Sequence, residues 1–446
     1  MNSLERVILK RKSLRDYKPI VGGAVVEEIQ TVAADLKGVR LLHINSTAYG
    51  GGVAELLNSL VPLEADCGLE VEWRVLRKDE SFFQVTKRIH NALQGRAGGL
   101  TREEQETYLR YSDKCARMLA GNYDVIVVHD PQPAALPSLV PSHAAKWVWR
   151  CHIDTSEPDP QVWGFLKPFV QQYSTAVFTM PEFVPPDFSG PTLVFIPPAI
   201  DPLTAKNRAL PRYLCREVVA EFGVDLARPL IVQVSRFDPW KDPQGVIDAY
   251  RLVKKELPQV QLALIGSMAE DDPEGWEVYK AIREQDEKDP DLYTFTNITG
   301  VHAHEVNAFQ RVADVAVQKS LREGFGLVVS EALWKETPVV AGDTGGIRLQ
   351  MENRVGGFLV HSVEETAKWV EYLLLHSNEA EAIARLGWER VRDRFLIPRL
   401  LLDELRLVRS LVGAGQEAAF AAMEPASPLT LVTPAPTTGG KSDSGS

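Results

Sequence analysis

"VRLLHINSTAYGGGVAELLNSLVPLEA", residues 39–65, passes from an apolar run through a glycine loop into an amphipathic run. Val39 to Asn45 reads as a buried strand, Ser46 to Gly52 as a loop, and Val53 to Ala65 as a helix. Strand, loop and helix in that order are the unit of a parallel sheet. The alternation continues: "YDVIVVHD" (123–130), "KWVWRCHI" (146–153) and "TAVFTM" (175–180) are short apolar runs, each followed by a polar or proline-rich loop. "FVPPDFSGPTLVFIPPAIDP" (183–202) interrupts the series and reads as a domain connection. Then it restarts. "PLIVQVSRF" (229–237), "VQLALIGS" (260–267), "ADVAVQKS" (313–320) and "TPVVAGDTGG" (337–346) read as strands and their exits, with "DPQGVIDAYRLVKKEL" (242–257) as a helix. The expected fold is α/β with two doubly wound domains, residues 1–204 and 205–395. In such sheets ligands sit beyond the carboxyl ends of the strands, so two domains facing each other would enclose a cleft. Residues 422–446 contain a polar, proline-rich tail that is expected to be disordered.

Bulk properties narrow the function. A chain of 446 residues suits two large domains, and 45% hydrophobic with 24% charged residues is ordinary globular composition. A net charge of -11 does not favour nucleic acid or an anionic membrane, so an anionic ligand must meet local cations. No apolar run approaches a membrane span and the N-terminus lacks an apolar signal core, which leads to the expectation of a cytoplasmic protein. Cys67, Cys115, Cys151 and Cys215 are scattered, so neither a disulfide frame nor a metal knuckle is expected.

Loops that follow strands carry the candidate chemistry. Gly50, Gly51 and Gly52 allow close backbone approach at a helix start, although a tight turn without a ligand has the same signature. Arg236 and Lys241 lie in "SRFDPWKD" after a strand, where two cations could neutralise a diphosphate; paired surface cations are the plain alternative. In "LREGFGLVVSEALW" (321–334), Glu323 leaves a strand, Gly324 and Gly326 expose backbone N–H groups, and Glu331 falls in the following helix. A carboxylate accepts two vicinal hydroxyls at once, which suits sugar rings. Here the plain alternatives are a helix-entry acid at Glu323 and a solvated Glu331. His152 and Asp154 after one first-domain strand, and His129 and Asp130 after its neighbour, suggest a hydroxyl-binding pocket. His43, His302 and His304 have no metal-binding spacing, and no metal site is expected.

Together, Glu323 and Glu331 with "GFG" after the first, Arg236 and Lys241, and the glycine loop resemble the retaining nucleotide-sugar glycosyltransferases of GT-B fold, two Rossmann-like domains across a cleft. "HINSTAYGGGVAELLNSLVP", "WRCHIDTS", "DDPEGW" and "GVHAHEVNAFQR" look like the glycosyltransferring trehalose synthases. The resemblance implies retaining transfer of glucose from a nucleoside diphosphate to free glucose, reversibly, giving α,α-trehalose. It implies that Arg236 and Lys241 hold the diphosphate, Glu331 the ribose, and Glu323 with Gly324, Phe325 and Gly326 the donor glucose. Leu327 and Val328 would face the phosphates, His152 the donor sugar near its reacting carbon, and Gly51 and Gly52 the meeting point of donor and acceptor. Asp130, Tyr49 and Asn45 are the acceptor candidates, and backbone near Gly266 and Val301 would frame the base. A helix within 396–421 would return to the first domain. No tightly bound cofactor is implied, magnesium would aid the nucleotide without protein ligands, and a homodimer is expected. Partners would be ADP-, UDP- or GDP-glucose, glucose and trehalose. Two alternatives remain at this level: a retaining trehalose phosphorylase, and a non-catalytic or epimerase sugar-nucleotide protein of the same fold.

Overall fold

The structure, a computed structural model, describes residues 4–140, 144–268 and 273–413. The first of its two sheets contains β1 (Leu4–Arg6), β2 (Arg40–Asn45), β3 (Glu70–Leu76), β4 (Val125–His129), β5 (Lys146–Arg150), β6 (Thr175–Phe178) and β7 (Thr192–Phe195). Their spatial order is β1-β3-β2-β4-β5-β6-β7, parallel except where β1 pairs with β3. The second contains β8 (Leu230–Val234), β9 (Gln261–Gly266), β10 (Leu292–Thr296), β11 (Val315–Gln318), β12 (Val339–Gly342), β13 (Glu352–Asn353) and β14 (Gly356–Val360). Its order is β10-β9-β8-β11-β12-β14-β13, parallel throughout. Central strands β4 and β9 are buried at every position, as strands covered by helices on both faces must be. The chain is therefore α/β with two doubly wound domains.

Local chemistry sets where helices begin. Asp242 caps the helix Pro243–Glu256 by accepting from Gly245 N at 3.0 Å; proline fills its first position, and Lys254 and Lys255 face the negative end of its dipole.

One expectation is corrected. The proline-rich stretch 183–202 is more than a connection, because it contains β7, the outer strand parallel to β6. An edge position tolerates neighbouring prolines, since one side of the strand needs no N–H donor. Residues 4–35, which carry no readable motif, are part of the first domain. Tyr17 OH donates to Asp201 Oδ2 at 3.0 Å, and Val26 and Ile29 pack into a core shared with Leu400, Leu401 and Leu405 of the helix Ile397–Val412. That last helix thus returns to the first domain, and Glu404 on it pairs with buried Arg150 at 2.5 Å. The two crossings between domains are bonded together: Ile200 N donates to Phe395 O at 2.8 Å and Ile397 N to Ile200 O at 2.9 Å. The tail 422–446 lies outside the described residues.

Candidate active site

β8 and β11 are neighbours in the second sheet, and the loops leaving them meet. After β8, Asp238 accepts from Trp240 N at 2.9 Å and shapes a short turn, Pro239–Lys241, that ends on Asp242 at φ 47°. After β11 the chain runs through Lys319 and Ser320 to Gly326, whose φ of 80° opens the helix Leu327–Trp334. Leu321 N donates to Trp240 O at 2.8 Å and ties the loops together. Lys241 Nζ then stands 2.6 Å from Glu323 Oε2, which also accepts from Ser320 Oγ at 3.0 Å. Beside this pair, Lys319 meets Asp242. Arg236 is on the same loop, more exposed and paired with Asp238 at 3.0 Å.

First-domain loops lie directly opposite. A Cβ on Gly324 would sit 2.7 Å from His152 O, and one on Gly52 would sit 3.2 Å from Leu327 Cδ1. Without side chains at these positions, the domains approach backbone to backbone at Gly324 and backbone to the Leu327 side chain at Gly52. His152 follows β5, and Gly51 and Gly52 follow β2, so both domains contribute the carboxyl ends of their strands. Ion pairs Arg322–Glu157 at 3.1 Å and Arg96–Glu274 at 3.3 Å also cross this seam. Glu323, Lys241, Gly324, Leu327, His152 and Gly52 therefore share one place. Glu323 is no helix-entry acid, since Gly326 holds the cap position.

Glu331 behaves differently from a solvated helical acid. It has no exposed surface, and its Oε1 lies 3.0 Å from Lys206 Nζ, which also reaches Glu55 Oε2 at 3.1 Å. Burial works against the Lys206 charge, but Glu331 and Glu55 outweigh it and hold its pKa above the usual lysine range. Lys335 donates to Glu331 O at 3.0 Å and Asn207 Oδ1 at 2.9 Å, while burial pushes its pKa down to about 7. The solvated alternative is overturned.

Comparison with known proteins fits this geometry. Residues 43–185 match the family described as "Trehalose synthase, N-terminal domain", and residues 216–388 match "Glycosyl transferases group 1". The "Trehalose synthase" of Rubrobacter xylanophilus is 51% identical over 415 residues, 92% of this chain and 100% of that one. The chain belongs to the trehalose synthase family of glycosyltransferases. More distant is the "Trehalose phosphorylase" of Pleurotus pulmonarius, 29% identical over 419 residues, 82% of this chain and 56% of that protein. The solved structure described as "Trehalose-6-phosphate from E. coli bound with UDP-2-fluoro glucose" superposes with a TM-score of 0.67 over 84% of this chain and 99% of that one, at 14% identity. That likeness shows the shared GT-B fold.

For this member of the trehalose synthase family, several candidate residues have structural duties as well. Phe325 is buried against Phe395, ring centroids 5.5 Å apart, which leaves only its backbone for a ligand. A Cβ on Gly266 would sit 2.6 Å from the Phe237 ring, and Val301 N already donates to Thr296 O at 3.0 Å. Buried Asn45 accepts from Thr47 N at 3.0 Å and so shapes the glycine loop, while Tyr49 on that loop is exposed. Val328 lies in the first helical turn, where N–H groups lack helical acceptors. Residues absent from the sequence reading also appear: Gly345 and Gly346, after β12, lie under the Glu323 loop. The doublet in "GDTGG" was their signal.

Asp130 sits at φ 63° and its Oδ1 accepts from His152 N at 2.8 Å, which fixes the backbone that abuts Gly324. Burial pushes its pKa up to about 7. An ordinary aspartate titrates near pH ~4, so between the two values the folded chain keeps a proton that the unfolded chain has released. This contribution to stability is complete at low pH and is lost as pH rises through about 7. Asp130→Asn keeps the acceptor and tolerates the left-handed backbone. The stability it gains over the wild type should therefore grow by about 2–3 kcal/mol between pH 5 and 8. Urea unfolding at both pH values checks this; a pH-independent difference would remove Asp130 as the titrating group.

Proposed function

We propose that the protein transfers glucose from a nucleoside-diphosphate glucose to the anomeric hydroxyl of free glucose, with retention, to give α,α-trehalose. The Lys241–Glu323 pair, placed where strand ends of both domains meet, carries this reading. Each member suits one half of an activated sugar. The carboxylate accepts ring hydroxyls, and the ammonium neutralises the diphosphate as its bond to the anomeric carbon breaks. Bound to the donor, Lys241 exchanges Glu323 for phosphate oxygens, and Glu323 exchanges Lys241 for hydroxyls. Arg236 and the amides of Leu327 and Val328 add donors on the phosphate side. Ribose hydroxyls reach Glu331 only by displacing Lys206, because that carboxylate is otherwise enclosed.

Retention follows from attack on the face the diphosphate leaves. The acceptor oxygen bonds to the anomeric carbon, the carbon–phosphate-oxygen bond breaks, and the acceptor proton passes to the departing phosphate oxygen. A double-displacement glycosidase needs a second carboxylate at the sugar as nucleophile, and Glu323 is assigned to hydroxyls. Magnesium enters this reading as a companion of the diphosphate. The 51% identity to a trehalose synthase against 29% to a phosphorylase favours nucleotide over inorganic phosphate. Product analysis tests it: glucose with ADP-, UDP- or GDP-glucose should yield non-reducing disaccharide. Trehalose with phosphate should yield no glucose 1-phosphate; the reverse outcome makes the chain a phosphorylase, and donor binding without disaccharide makes it non-catalytic.

A further inference from the structure

Behind His152 three histidines and a glutamate form a continuous hydrogen-bonded row through the first domain. His152 Nε2 is 2.9 Å from His129 Nδ1, His129 Nε2 is 3.0 Å from His43 Nδ1, and His43 Nε2 is 3.1 Å from Glu64 Oε2. The residues come from the end of β5, from β4 and β2, and from the helix Gly52–Asp66, so the row runs across neighbouring strands. His43, His129 and Glu64 are each 1% exposed, and consecutive rings stack with centroids 5.3 Å apart. Water is therefore no competitor inside the row. Among the described residues His152 Nδ1 has no partner, and it is the free end of the row, on the residue whose backbone O lies against Gly324.

The geometry restricts the protons. Every link joins Nδ1 of one ring to Nε2 of the next, and each link holds one proton. Burial first, then the neighbouring rings and Arg150, drives the His129 pKa well below the imidazole range. Burial and Arg150 do the same to His152. With one N–H on each ring, the two ring-to-ring links put all three in the same tautomer. The terminal group then chooses which. A carboxylate only accepts, so Glu64 accepts from His43 Nε2–H, His43 Nδ1 accepts from His129 Nε2–H, and His129 Nδ1 accepts from His152 Nε2–H. A buried carboxylate fixing a histidine tautomer is the arrangement of the serine-protease triad, extended here by two rings. The guanidinium of Arg150, buried beside the row and paired with Glu404, disfavours any further proton on His129 or His152.

We infer that Glu64, through His43 and His129, holds His152 with its proton on Nε2 and presents its Nδ1 as a hydrogen-bond acceptor to a sugar hydroxyl in the cleft. Glu64, His43 and His129 are thus positioning residues. The sugar as the occupant rests on the transfer reading above; the tautomers do not. Histidine 15N spectra of the substrate-free full chain at pH 7, assigned by single histidine substitutions, should show the Nε2–H form for His43, His129 and His152. An Nδ1–H form, a mixture or an imidazolium at any of the three overturns the inference, and this measurement needs no variant of Glu64 to fold. The kinetic arm compares Glu64→Gln, whose amide oxygen still accepts from His43, with Glu64→Leu, which accepts nothing. Leucine should lower kcat/KM for the sugar donor on the order of 10- to 100-fold, with glutamine within about 3-fold of wild type. Equal losses in two variants with native circular dichroism overturn the positioning role. The expected tautomers in a chain that makes no disaccharide would overturn the transfer reading and leave the row's tautomers standing.

Discussion

Lys241→Ala is expected to lower turnover on the order of 100- to 1,000-fold while the chain stays folded. The reason is where charge changes during transfer. Breaking the bond to the sugar concentrates negative charge on the diphosphate, and a fixed ammonium in a poorly solvated loop stabilises that state more than the ground state. The side chain is placed for this by three loop contacts: Asp238 with Trp240 N, Leu321 N with Trp240 O, and Lys241 with Glu323. Loss of the ammonium also leaves Glu323 with Ser320 Oγ as its remaining side-chain donor among the described residues, at a stability cost of about 1–3 kcal/mol. Arg236→Ala should cost less, because that guanidinium is more exposed and bound to Asp238 on its own loop. Lys241→Arg should not restore turnover, since a planar fork cannot occupy the space of a compact ammonium beside a buried carboxylate. Steady-state kinetics with saturating donor and acceptor decide it. An unchanged kcat in Lys241→Ala would remove this residue from the mechanism and, with it, the phosphate side of the proposed site.

What was legible in the sequence had a local cause. β2, β4, β5, β6, β8, β9, β11 and β12 are short apolar runs ending in loops, which is how a strand covered on both faces reads. β3 was not legible because "EVEWRVL" carries three charged residues on a partly exposed strand, and β14 because it opens on Gly356 and Gly357, both at positive φ. β7 was hidden among prolines. The N-terminal segment owes its place to contacts such as Tyr17 with Asp201, 184 residues away, which no window along the chain reports. The site divides in the same way. Glu323, Lys241, His152 and Gly52 could be placed because each follows a strand, and strand exits converge in this architecture. Their pairings could not be read: Lys241 finds Glu323 across 82 residues, and His43 joins His129 across 86. For Glu331 a solvated acid stayed open beside the ribose role, because its cation, Lys206, comes from the segment before the second sheet.

Gly345 shows how strongly such unread contacts control the site. A Cβ there would lie 1.8 Å from Glu323 O and 2.9 Å from Glu323 C, and the backbone is at φ 46°, in the left-handed region. The obstacle is main chain, so no rotamer change relieves it; the Glu323 loop itself must move. Leu321 N bonded to Trp240 O and Gly346 N reaching Glu323 O at 3.4 Å resist that movement. Gly345→Ala should therefore displace Glu323 from Lys241 and lower kcat/KM by about 100-fold, the scale of a 1 Å misplacement. Stability should fall by about 2–4 kcal/mol, combining the clash with the left-handed penalty. Gly22→Ala is the control. Gly22 has φ 86° and ψ 165° but nothing within 4 Å of its added Cβ, so it carries a backbone penalty alone, about 1–3 kcal/mol, with no change in kcat/KM. Donor kinetics and urea unfolding of both variants separate the two costs. If Gly345→Ala turns over like Gly22→Ala, the loop has room to shift without consequence, and Glu323 does not need the position it holds against Lys241.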